Sequence, residues 1–598
     1  MGSWRRTHSC GELRAANIDS EVTLAGWIAA RHDLGNLIFL NLRDREGITQ
    51  LRIDADADAA LREVASGLRN EYVVAVKGTV ISRGKDANKK VPTGEIEIQV
   101  SAMEVLNECE TPPFPVMEGK SRDAGETAEE IRLQYRYVDL RRERMSRNLR
   151  LRHQVVNAIR EHMNAEGYWE IETPILYKST PEGARDFLVP SRKQPGTFYA
   201  LPQSPQQFKQ MLQTAGVEKY YQIARCFRDE DARGDRQPEF TQLDVEASFV
   251  DESDIMGLLE RVVARVMKEV KGIELSLPLP RMAYAEAMLK YGKDAPDLRF
   301  GLEIVELSAI AKGCGFSVFE KALEKKYGCV RGLVVAGAKD FSRKRVTDLE
   351  ERLKSQFPKV GGLPWFKVEK GVPTGGMSKF IAEKGAEWIK ALGAKEGDIC
   401  FFGADEEDTV CSALGALRVW LGQELGLIPA DTFNFCWIVD FPMFEYSEED
   451  NRWVARHHPF TSPKPEHLDI LESDPRSVGA RAYDLVLNGS EIAGGSIRMH
   501  RPKVQQRVFK ALGIADEDAQ ALFGHLLHAL SLGTPPHGGI AMGLDRFVMI
   551  LAGEQTIREV IAFPKTLQAR CLLTGAPAEV EQKQLDELGL KIAPPKKP

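Results

Sequence analysis

The segment from Cys226 to Phe249 has the pattern of two β-strands joined by a charged loop. Side chains at every second position of a strand lie on one face of the sheet. In the second strand these positions hold aromatic, polar and acidic residues, namely Phe240, Gln242, Asp244 and Glu246. The same alternation predicts that Arg228 and Glu230 share a face of the first strand. A solvated sheet face is the alternative interpretation, but it requires these residue types to coincide by chance, so the pattern favours a binding surface.

A second segment, from Gly538 to Leu551, has the pattern of a glycine-rich strand followed by an apolar helix, with Arg546 at the junction. Glycines allow the backbone to approach a ligand closely, and an arginine at the start of a helix is well placed for a phosphate group. This segment alone does not decide a function.

The first 110 residues contain five short β-rich runs separated by Gly and Asp turns, with one helical stretch at Ala59–Leu68. This arrangement is typical of an OB-fold barrel, which binds single-stranded nucleic acid by stacking bases on aromatic side chains. Phe39 lies in one of the runs. From the residues alone, a place in the core is favoured for Phe39 over an exposed stacking position.

Length and composition exclude several classes of protein. A chain of 598 residues is too long for a single hydrophobic core, so several domains are predicted. No window reaches the roughly 18 uninterrupted apolar residues of a membrane span, and no apolar signal core follows the N-terminus, so a cytoplasmic location is expected. The 9 cysteines lack the spacing of zinc ligands, and the net charge of -7 means that RNA binding requires a local basic patch.

The middle of the chain contains a break and a change of pattern. Thr111–Pro115 ends regular structure, and a charged hinge follows. A helix is then predicted from an apolar residue at every fourth position: Leu151, Val155, Ile159 and Met163. A strand from Tyr168 to Ile175, broken at Pro174, follows. From about Arg299 to Leu427 strands and helices alternate without a catalytic constellation, which predicts an insertion into the catalytic domain; an independent regulatory domain is the alternative.

These motifs resemble those of the class II aminoacyl-tRNA synthetases. Phe227-Arg228-Asp229-Glu230 is similar to motif 2, Gly543-Leu544-Asp545-Arg546 to motif 3, and Gly167 to Pro174 to motif 1, whose proline lies at the dimer interface in the family. The order of the segments over the whole chain resembles the bacterial aspartyl-tRNA synthetases. The resemblance implies a multidomain α+β fold and a homodimer.

The resemblance also implies a division of the chain into six parts. These are an OB-fold anticodon-binding domain (1–110), a hinge (111–145), the first part of an antiparallel-sheet catalytic domain (146–298), an inserted α/β domain of the GAD type (299–427), the second part of the catalytic domain (428–565) and a C-terminal extension (566–598).

For ATP, the family's roles fall on the hairpin and on motif 3. Arg228 is expected to bind the α-phosphate and the attacking carboxylate, Glu230 the adenine amino group, and Phe240 the adenine ring. Arg546 is expected to cover the other face of the ring and to reach the γ-phosphate. Further ATP-binding positions implied by the motifs are Asp229, Gln237, Glu491, Gly543, Leu544 and Asp545. Asp484 and Glu491 are the implied ligands of Mg²⁺.

For the amino acid, the resemblance implies L-aspartate. Its side-chain carboxylate calls for cations, and Lys209 and Arg498 match the family's carboxylate clamp. The remaining implied contacts to aspartate are Glu182, Ser204, Gln206, Arg228, Gln242, Asp244 and His457. Because His457 and His458 are adjacent, a metal site is an alternative, but no further Cys or His lies at ligand spacing.

On the barrel, the resemblance implies that Phe39 stacks on an anticodon base and that Gln50 and Glu97 read base edges, which reverses the earlier preference for a core Phe39. Arg31, Arg43 and Arg45 are candidates for the local basic patch.

The expected activity is therefore ligation of L-aspartate to tRNA(Asp) with ATP. The alternatives are an asparaginyl- or lysyl-tRNA synthetase, an inactive synthetase-like RNA-binding protein, and an ammonia-using asparagine synthetase of the same catalytic fold. The two cations of the clamp disfavour lysine, the presence of Arg228, Glu491 and Arg546 disfavours an inactive protein, and the barrel disfavours the asparagine synthetase. The sequence leaves open whether tRNA(Asn) is also charged.

Overall fold

The computed structural model describes residues 2–117, 127–179, 183–337, 341–448 and 451–593. None of the helices in these ranges combines the length and the apolar character that crossing a membrane requires. The chain divides into two compact units, which are described separately. The first contains residues 1–153, 232–237 and 556–580, and the second contains the rest.

The first unit begins with a closed barrel. Its elements are β1 (Glu21–Asp33), β2 (Ile38–Arg43), β3 (Ile48–Ile53), α1 (Ala59–Gly67), β4 (Val73–Ser82) and β5 (Ile96–Asn107). The strands close in the order β1-β2-β3-β5-β4 around a core of aliphatic side chains. The predicted five-stranded barrel is confirmed.

The predicted hinge is partly helical. Three helices follow the barrel: α2 (Glu129–Gln134), α3 (Arg136–Asp139) and α4 (Glu143–Ala165). Asp139 is fully buried and accepts hydrogen bonds from Arg132 and Arg136, and Arg132 also binds the buried carboxylate of Glu559. The charged residues of the predicted hinge therefore form an internal ion network. The sequence pattern did not indicate it, because Glu559 lies more than 400 residues away from Arg132.

The second unit continues in chain order with β6 (Trp169–Glu170), β7 (Leu188–Pro190), β8 (Phe198–Ala200), α5 (Gln206–Thr214), β9 (Lys219–Phe227), β10 (Glu239–Ser248), α6 (Glu252–Val266), β11 (Arg281–Ala283) and α7 (Tyr284–Tyr291). The strand predicted from Tyr168 to Ile175 is thus only two residues long. α4 presents Val155, Ile159 and Met163 to the interior, as the four-residue spacing predicts.

The insertion comprises β12 (Ile304–Glu306), α8 (Ser308–Ala311), α9 (Ser317–Leu323), β13 (Gly328–Val335), α10 (Arg343–Gln356), β14 (Trp365–Glu369), β15 (Val372–Thr374), α11 (Gly385–Leu392), β16 (Ile399–Glu406) and α12 (Glu407–Glu424). Its strands pair antiparallel in the order β12-β13-β16-β14-β15, with an apolar core on each face. Ser342 caps α10 as predicted. The helix expected after Ser378 begins only at Gly385, because two short 3₁₀ turns come first.

The remaining elements are β17 (Phe435–Val439), β18 (Phe444–Ser447), β19 (Arg452–Ala455), β20 (Ala482–Leu487), β21 (Ser490–Ile497), α13 (Pro502–Ala511), α14 (Asp516–Ser531), β22 (His537–Gly543), α15 (Leu544–Ala552) and α16 (Gln582–Leu588). Strands from both sides of the insertion join one sheet of the order β11-β17-β20-β21-β22-β10-β9-β6. The glycine-rich strand β22 therefore pairs with the hairpin strand β10, which brings the two sequence motifs together.

The hairpin departs from the predicted alternation at one point. β9 ends at Phe227, so Arg228 and Glu230 lie beyond the strand and not on its face. The N–H of Arg228 donates to the carbonyl of Pro238, at 2.9 Å, but proline has no N–H with which to return a bond. The ladder ends there, and the charged loop begins with Arg228.

Candidate active site

Four charged side chains of the second unit meet in the interior of the sheet. The Nζ of Lys209 lies 3.0 Å from Oδ1 of Asp244 and 3.5 Å from Oε2 of Glu246. Arg498 donates to both oxygens of Glu246, at 2.9 Å and 3.2 Å. The side chains of Asp244 and Glu246 are fully buried, and those of Lys209 and Arg498 are at most 3% exposed. We call these four residues the charge quartet.

The strand register explains why the quartet can form. Asp244 and Glu246 lie two residues apart on β10 and therefore point to the same face, as predicted. Glu246 lies opposite Gly539 of β22. A Cβ atom at Gly539 would lie 2.1 Å from Oε2 of Glu246, so only glycine leaves room for this carboxylate.

The charges of the quartet compensate each other. Burial raises the pKa of Asp244, although Lys209 opposes this effect. Burial would also raise the pKa of Glu246, but Arg498 and Lys209 together hold it below its ordinary value. Two cations thus face two carboxylates among side chains that are at most 3% exposed, where a further anion can be bound only if the cations are held in place.

The adjacent histidines occupy different surroundings. Nη1 of Arg498 lies 2.6 Å from Nε2 of His458 and donates to Oγ of Ser496 at 2.6 Å. Desolvation lowers the pKa of His458 well below its ordinary value, so the ring is neutral. The ring of His457 packs edge-on against Phe441, and desolvation lowers its pKa to about 4. His458 thus contacts the clamp arginine, and the contact of His457 with aspartate stays a prediction.

Of the other predicted contacts to aspartate, Gln206 shares α5 with Lys209, and Gln242 shares β10 with Asp244. The side chain of Gln206 is buried and donates to Gln210, and Oγ of Ser204 accepts from the N–H of Gln206. Oε1 of Gln242 lies 3.3 Å from Sγ of Cys226. Glu182 lies outside the described residues.

The predicted ATP residues lie at the open end of the hairpin. The guanidinium of Arg228 lies 5.1 Å from the ring centroid of Phe240, and its Nε is buried without a hydrogen-bond partner among the described residues. Asp229 and Glu230 are exposed.

Motif 3 is held against the same strand. Gly543 pairs with Gln242, and the carboxylate of Asp545 accepts the N–H of Thr241 at 2.7 Å. This contact fixes the start of α15, where Leu544 is buried and Arg546 donates to the carbonyl of Glu491 at 2.5 Å. Gln237 belongs to the first unit, where its side-chain amide pairs with the backbone of Lys565.

The two predicted magnesium ligands converge on one glycine. A Cβ atom at Gly494 would lie 2.9 Å from Oδ1 of Asp484 and 3.2 Å from Oε1 of Glu491. Oδ1 of Asp484 is buried and has no hydrogen-bond partner among the described residues. Burial and the nearby carboxylate of Glu491 raise the pKa of Asp484 well above its ordinary value. Two carboxylates with this geometry fit a divalent cation whose other ligands are phosphate and water oxygens.

In the first unit, the predicted anticodon residues lie on strands of the barrel, where Phe39 and Gln50 are half-buried and Glu97 is buried. Phe39 is half-buried between the fully internal Ile38 and Leu40, so it faces outward and is not a core residue. Glu97 accepts a hydrogen bond from Gln50 at 2.9 Å and pairs with Arg52 at 3.4 Å. These side chains form a polar patch beside an aromatic ring.

The basic patch predicted for the barrel is only partly available. Arg43 is buried and donates to both oxygens of Glu71, at 2.9 Å and 2.8 Å, a pairing that no sequence pattern indicated. Arg45 is largely exposed beside Glu46, and Arg31 donates to the carbonyl of Ser66. Arg43 is therefore a structural residue, and its prediction as a surface cation was wrong.

Comparison with known proteins agrees with this geometry. Residues 128–567 match the family model of class II tRNA synthetases (D, K and N), and residues 22–106 match that of the OB-fold nucleic acid binding domain. Aspartate–tRNA(Asp/Asn) ligase of Geobacillus sp. is 53% identical over 99% of this chain and 99% of its own length. The chain belongs to the bacterial aspartate–tRNA ligases. Aspartate–tRNA ligase of Halalkalibacterium halodurans is 52% identical to this ligase over 98% of both chains.

Solved structures show the same fold at lower identity. The asparaginyl-tRNA synthetase of Pyrococcus horikoshii complexed with asparaginyl-adenylate aligns with a TM-score of 0.57, 19% identity and coverage of 94% of this ligase and 98% of that chain. The aspartyl-tRNA synthetase of Entamoeba histolytica aligns with a TM-score of 0.56 and 17% identity, over 94% and 91% of the two chains.

Two residues of the site were missing from the prediction for this ligase. Glu246 fixes both cations of the clamp, and the period-two pattern had already placed it on the same face as Asp244. His458, which contacts Arg498, was named only as the neighbour of His457, whose predicted contact with aspartate stays a prediction. The alternation was therefore the signal that could have identified Glu246, whereas nothing in the sequence separates the two histidines.

Proposed function

We propose that this ligase activates L-aspartate with ATP to give aspartyl-adenylate and pyrophosphate, and then transfers the aspartyl group to the 3′ end of tRNA(Asp). The observation that carries the amino-acid assignment is the buried charge quartet. Two internal cations held by two internal carboxylates form a site for an anionic side chain. A neutral asparagine side chain would leave these cations without the anion, and a lysine would be repelled by them.

In the pocket, Lys209 and Arg498 bind the side-chain carboxylate of the substrate. The expected partner of the substrate ammonium group is Glu182, together with Ser204 and Gln206, while Asp244, Gln242 and His457 complete the pocket. Glu246 acts through Arg498 and Lys209 by holding them in position. The side-chain carboxylate and the ammonium of the substrate add one anionic and one cationic group to the pocket, and the α-carboxylate is the group that faces the ATP.

The chemistry needs positioning and charge stabilisation only. An oxygen of the substrate α-carboxylate attacks the α-phosphorus, and the bond to pyrophosphate breaks. Arg228 stabilises the charge that develops on the phosphoryl oxygens, and Phe240 and Arg546 enclose the adenine, whose amino group Glu230 binds. The terminal ribose hydroxyl of the tRNA then attacks the acyl carbonyl, and AMP leaves. No covalent bond to the enzyme forms.

Mg²⁺ fits the carboxylates of Asp484 and Glu491, where it would neutralise phosphate charge. Replacing Glu491 with Gln removes one anionic ligand, so the Mg²⁺ concentration for half-maximal ATP–pyrophosphate exchange is expected to rise at least about tenfold. Measuring the rate of ATP–pyrophosphate exchange over a range of MgCl₂ concentrations gives this half-maximal concentration. The exposed Glu466→Gln is the control. An unchanged Mg²⁺ requirement in the Glu491 variant would remove this residue from the site.

The barrel binds the anticodon, with Phe39 stacking on a base and Gln50 and Glu97 reading base edges. Replacing Phe39 with Ala is expected to raise the KM for tRNA by about tenfold or more, since base–aromatic stacking contributes about 1–3 kcal/mol. Aspartate-dependent ATP–pyrophosphate exchange without tRNA is expected to be unchanged. Val105→Ala, an exposed apolar residue of β5, is the control, and a KM equal to that of wild type in both variants would argue against the stacking role.

The range of tRNA substrates is the finer question. The Geobacillus relative is named for both tRNA(Asp) and tRNA(Asn), whereas the Halalkalibacterium relative is named aspartate–tRNA ligase alone. Charging of tRNA(Asn) is therefore the second candidate function. Aminoacylation of both purified tRNAs, compared as kcat/KM, separates the two. Similar kcat/KM values for the two tRNAs would indicate that the enzyme charges both. A kcat/KM for tRNA(Asp) hundreds of times that for tRNA(Asn) would indicate an enzyme specific for tRNA(Asp).

We further propose that the ligase is a homodimer of the cytoplasm, where tRNA is charged for translation. β6 is an edge strand, and Trp169 on it is 64% exposed, with Ile175 and Leu176 also exposed nearby. Sedimentation equilibrium is expected to give twice the chain mass of 66.7 kDa, and Trp169→Glu to shift the equilibrium toward the monomer. A monomeric wild-type protein at micromolar concentration would contradict this assignment.

A further inference from the structure

The insertion contains a cavity that none of the catalytic residues lines. Its volume is about 520 Å³, and its lining residues all lie between 316 and 413. Specific small-molecule sites occupy about 300–1,000 Å³. The cavity is therefore large enough for a ligand and is separate from the charge quartet.

One part of the cavity wall is aromatic. The rings of Phe316 and Phe380 are 4.8 Å apart at a tilt of 36°, and Trp365 also lines the cavity. Phe380 is 38% exposed. The wall at Gly361 carries no side chain, and a Cβ atom there would meet no other atom within 4 Å. A flat ring can thus enter and lie against other rings.

Another part of the lining is cationic. Three lysines, Lys321, Lys325 and Lys359, line the cavity against two carboxylates, Glu350 and Asp405. Lys325 pairs with Asp405 at 2.5 Å and Lys359 with Glu448 at 2.8 Å, whereas Lys321 makes no ion pair among the described residues. The insertion sequence from 299 to 427 contains 20 Lys and Arg against 18 Asp and Glu, although the whole chain has a net charge of -7. This part of the ligase is therefore suited to an anion.

We infer that this cavity is a second nucleotide site, with the base against the aromatic wall and the phosphate at Lys321. An inorganic anion would leave the aromatic wall uncovered, and an apolar ligand would make no contact with the cationic part of the lining. A nucleotide satisfies both, because bases stack on aromatic side chains and phosphates bind ammonium groups. The site takes either a free nucleotide or a nucleotide of bound tRNA, and the experiment below distinguishes these sources.

The test uses the full-length enzyme with its catalytic site saturated by aspartyl-sulfamoyl-adenosine, a non-hydrolysable analogue of the adenylate. Equilibrium dialysis with radiolabelled AMP then measures binding elsewhere. If the source is a free nucleotide, about one AMP binds per chain. Lys321→Glu and Val318→Trp, which reverse a charge and narrow the cavity at exposed positions, are expected to weaken binding about tenfold. Lys312→Glu, an exposed lysine outside the cavity, is the matched control.

If the source is tRNA, AMP does not bind, and the same two variants raise the KM for tRNA about tenfold while the control does not. Exchange without tRNA stays at the wild-type level in all three variants, which shows that the catalytic site is intact. Absence of AMP binding together with wild-type tRNA kinetics in both variants would overturn the proposal. The analogue blocks the catalytic site during the AMP measurement, and exchange without tRNA reports on the catalytic site alone. A failure of this proposal is therefore distinguishable from a failure of the proposed aspartate activity.

Discussion

Replacing Arg228 with Leu is expected to lower aspartate-dependent ATP–pyrophosphate exchange by about 10²–10³-fold, which is typical for loss of one preorganised donor to a transition state. Arg228 lies where the hairpin strand ends, over the ring of Phe240, and its Nε has no hydrogen-bond partner among the described residues. A guanidinium whose buried Nε is not bonded by any of the described residues suits charge that develops during the reaction. Exchange measured at saturating ATP and aspartate reports the chemical step.

The matched control for this variant is Arg225→Leu. Arg225 lies on the same strand but is exposed and pairs with Glu239 and Thr241, so exchange is expected to change by less than about threefold. The affinity for tRNA is expected to be unchanged in both variants. Wild-type exchange by the Arg228 variant would exclude this arginine from the reaction.

Replacing Arg498 with Leu is expected to have the second large effect, on both stability and substrate binding. Glu246 would lose its bidentate partner and keep only Lys209 at 3.5 Å. Breaking a buried ion pair costs about 3–5 kcal/mol because the remaining charge is uncompensated. The KM for aspartate is expected to rise by at least about a hundredfold, since the substrate carboxylate loses its guanidinium.

Urea denaturation of the full-length ligase, followed by tryptophan fluorescence, measures the change in stability. The kinetics of ATP–pyrophosphate exchange give the KM for aspartate. Arg507→Leu is the control, because this arginine is exposed and pairs with Glu472 on the surface, where a change within about 0.5 kcal/mol is expected. A stable Arg498 variant with an unchanged aspartate KM would show that Glu246 is neutralised by another route and that Arg498 does not bind substrate.

The sequence allowed prediction of the parts that depend on local periodicity. The barrel strands, the α4 face and the polar face of β10 follow from spacing, and the joining of the two motifs in one sheet followed from the family resemblance. Prediction from the sequence failed where a residue outside the local pattern determines whether a side chain is buried or where a strand ends. Glu71 buries Arg43, Glu559 buries Arg132 and Pro238 ends the strand before Arg228. Such pairings join residues that only the folded chain brings together.

The candidate site shows the same division. Lys209 and Arg498, which lie 289 positions apart in the sequence, do meet as the resemblance implied, but the carboxylate that holds both of them was not assigned. Which histidine contacts Arg498 depends on the turn before Phe460, where the N–H of Phe460 donates to Nδ1 of His458. The spacing of residues does not decide between the two histidines, whereas the period-two pattern had placed Glu246 on the same face as Asp244.

The most direct test of the charge quartet as an aspartate site is ATP–pyrophosphate exchange by the wild-type enzyme with L-aspartate, L-asparagine and L-lysine as separate substrates. The pocket predicts a kcat/KM for aspartate at least about 10³-fold above that for the other two, because a site built for a charged partner rejects analogues that lack it. Exchange with asparagine or lysine at a comparable kcat/KM would contradict the account.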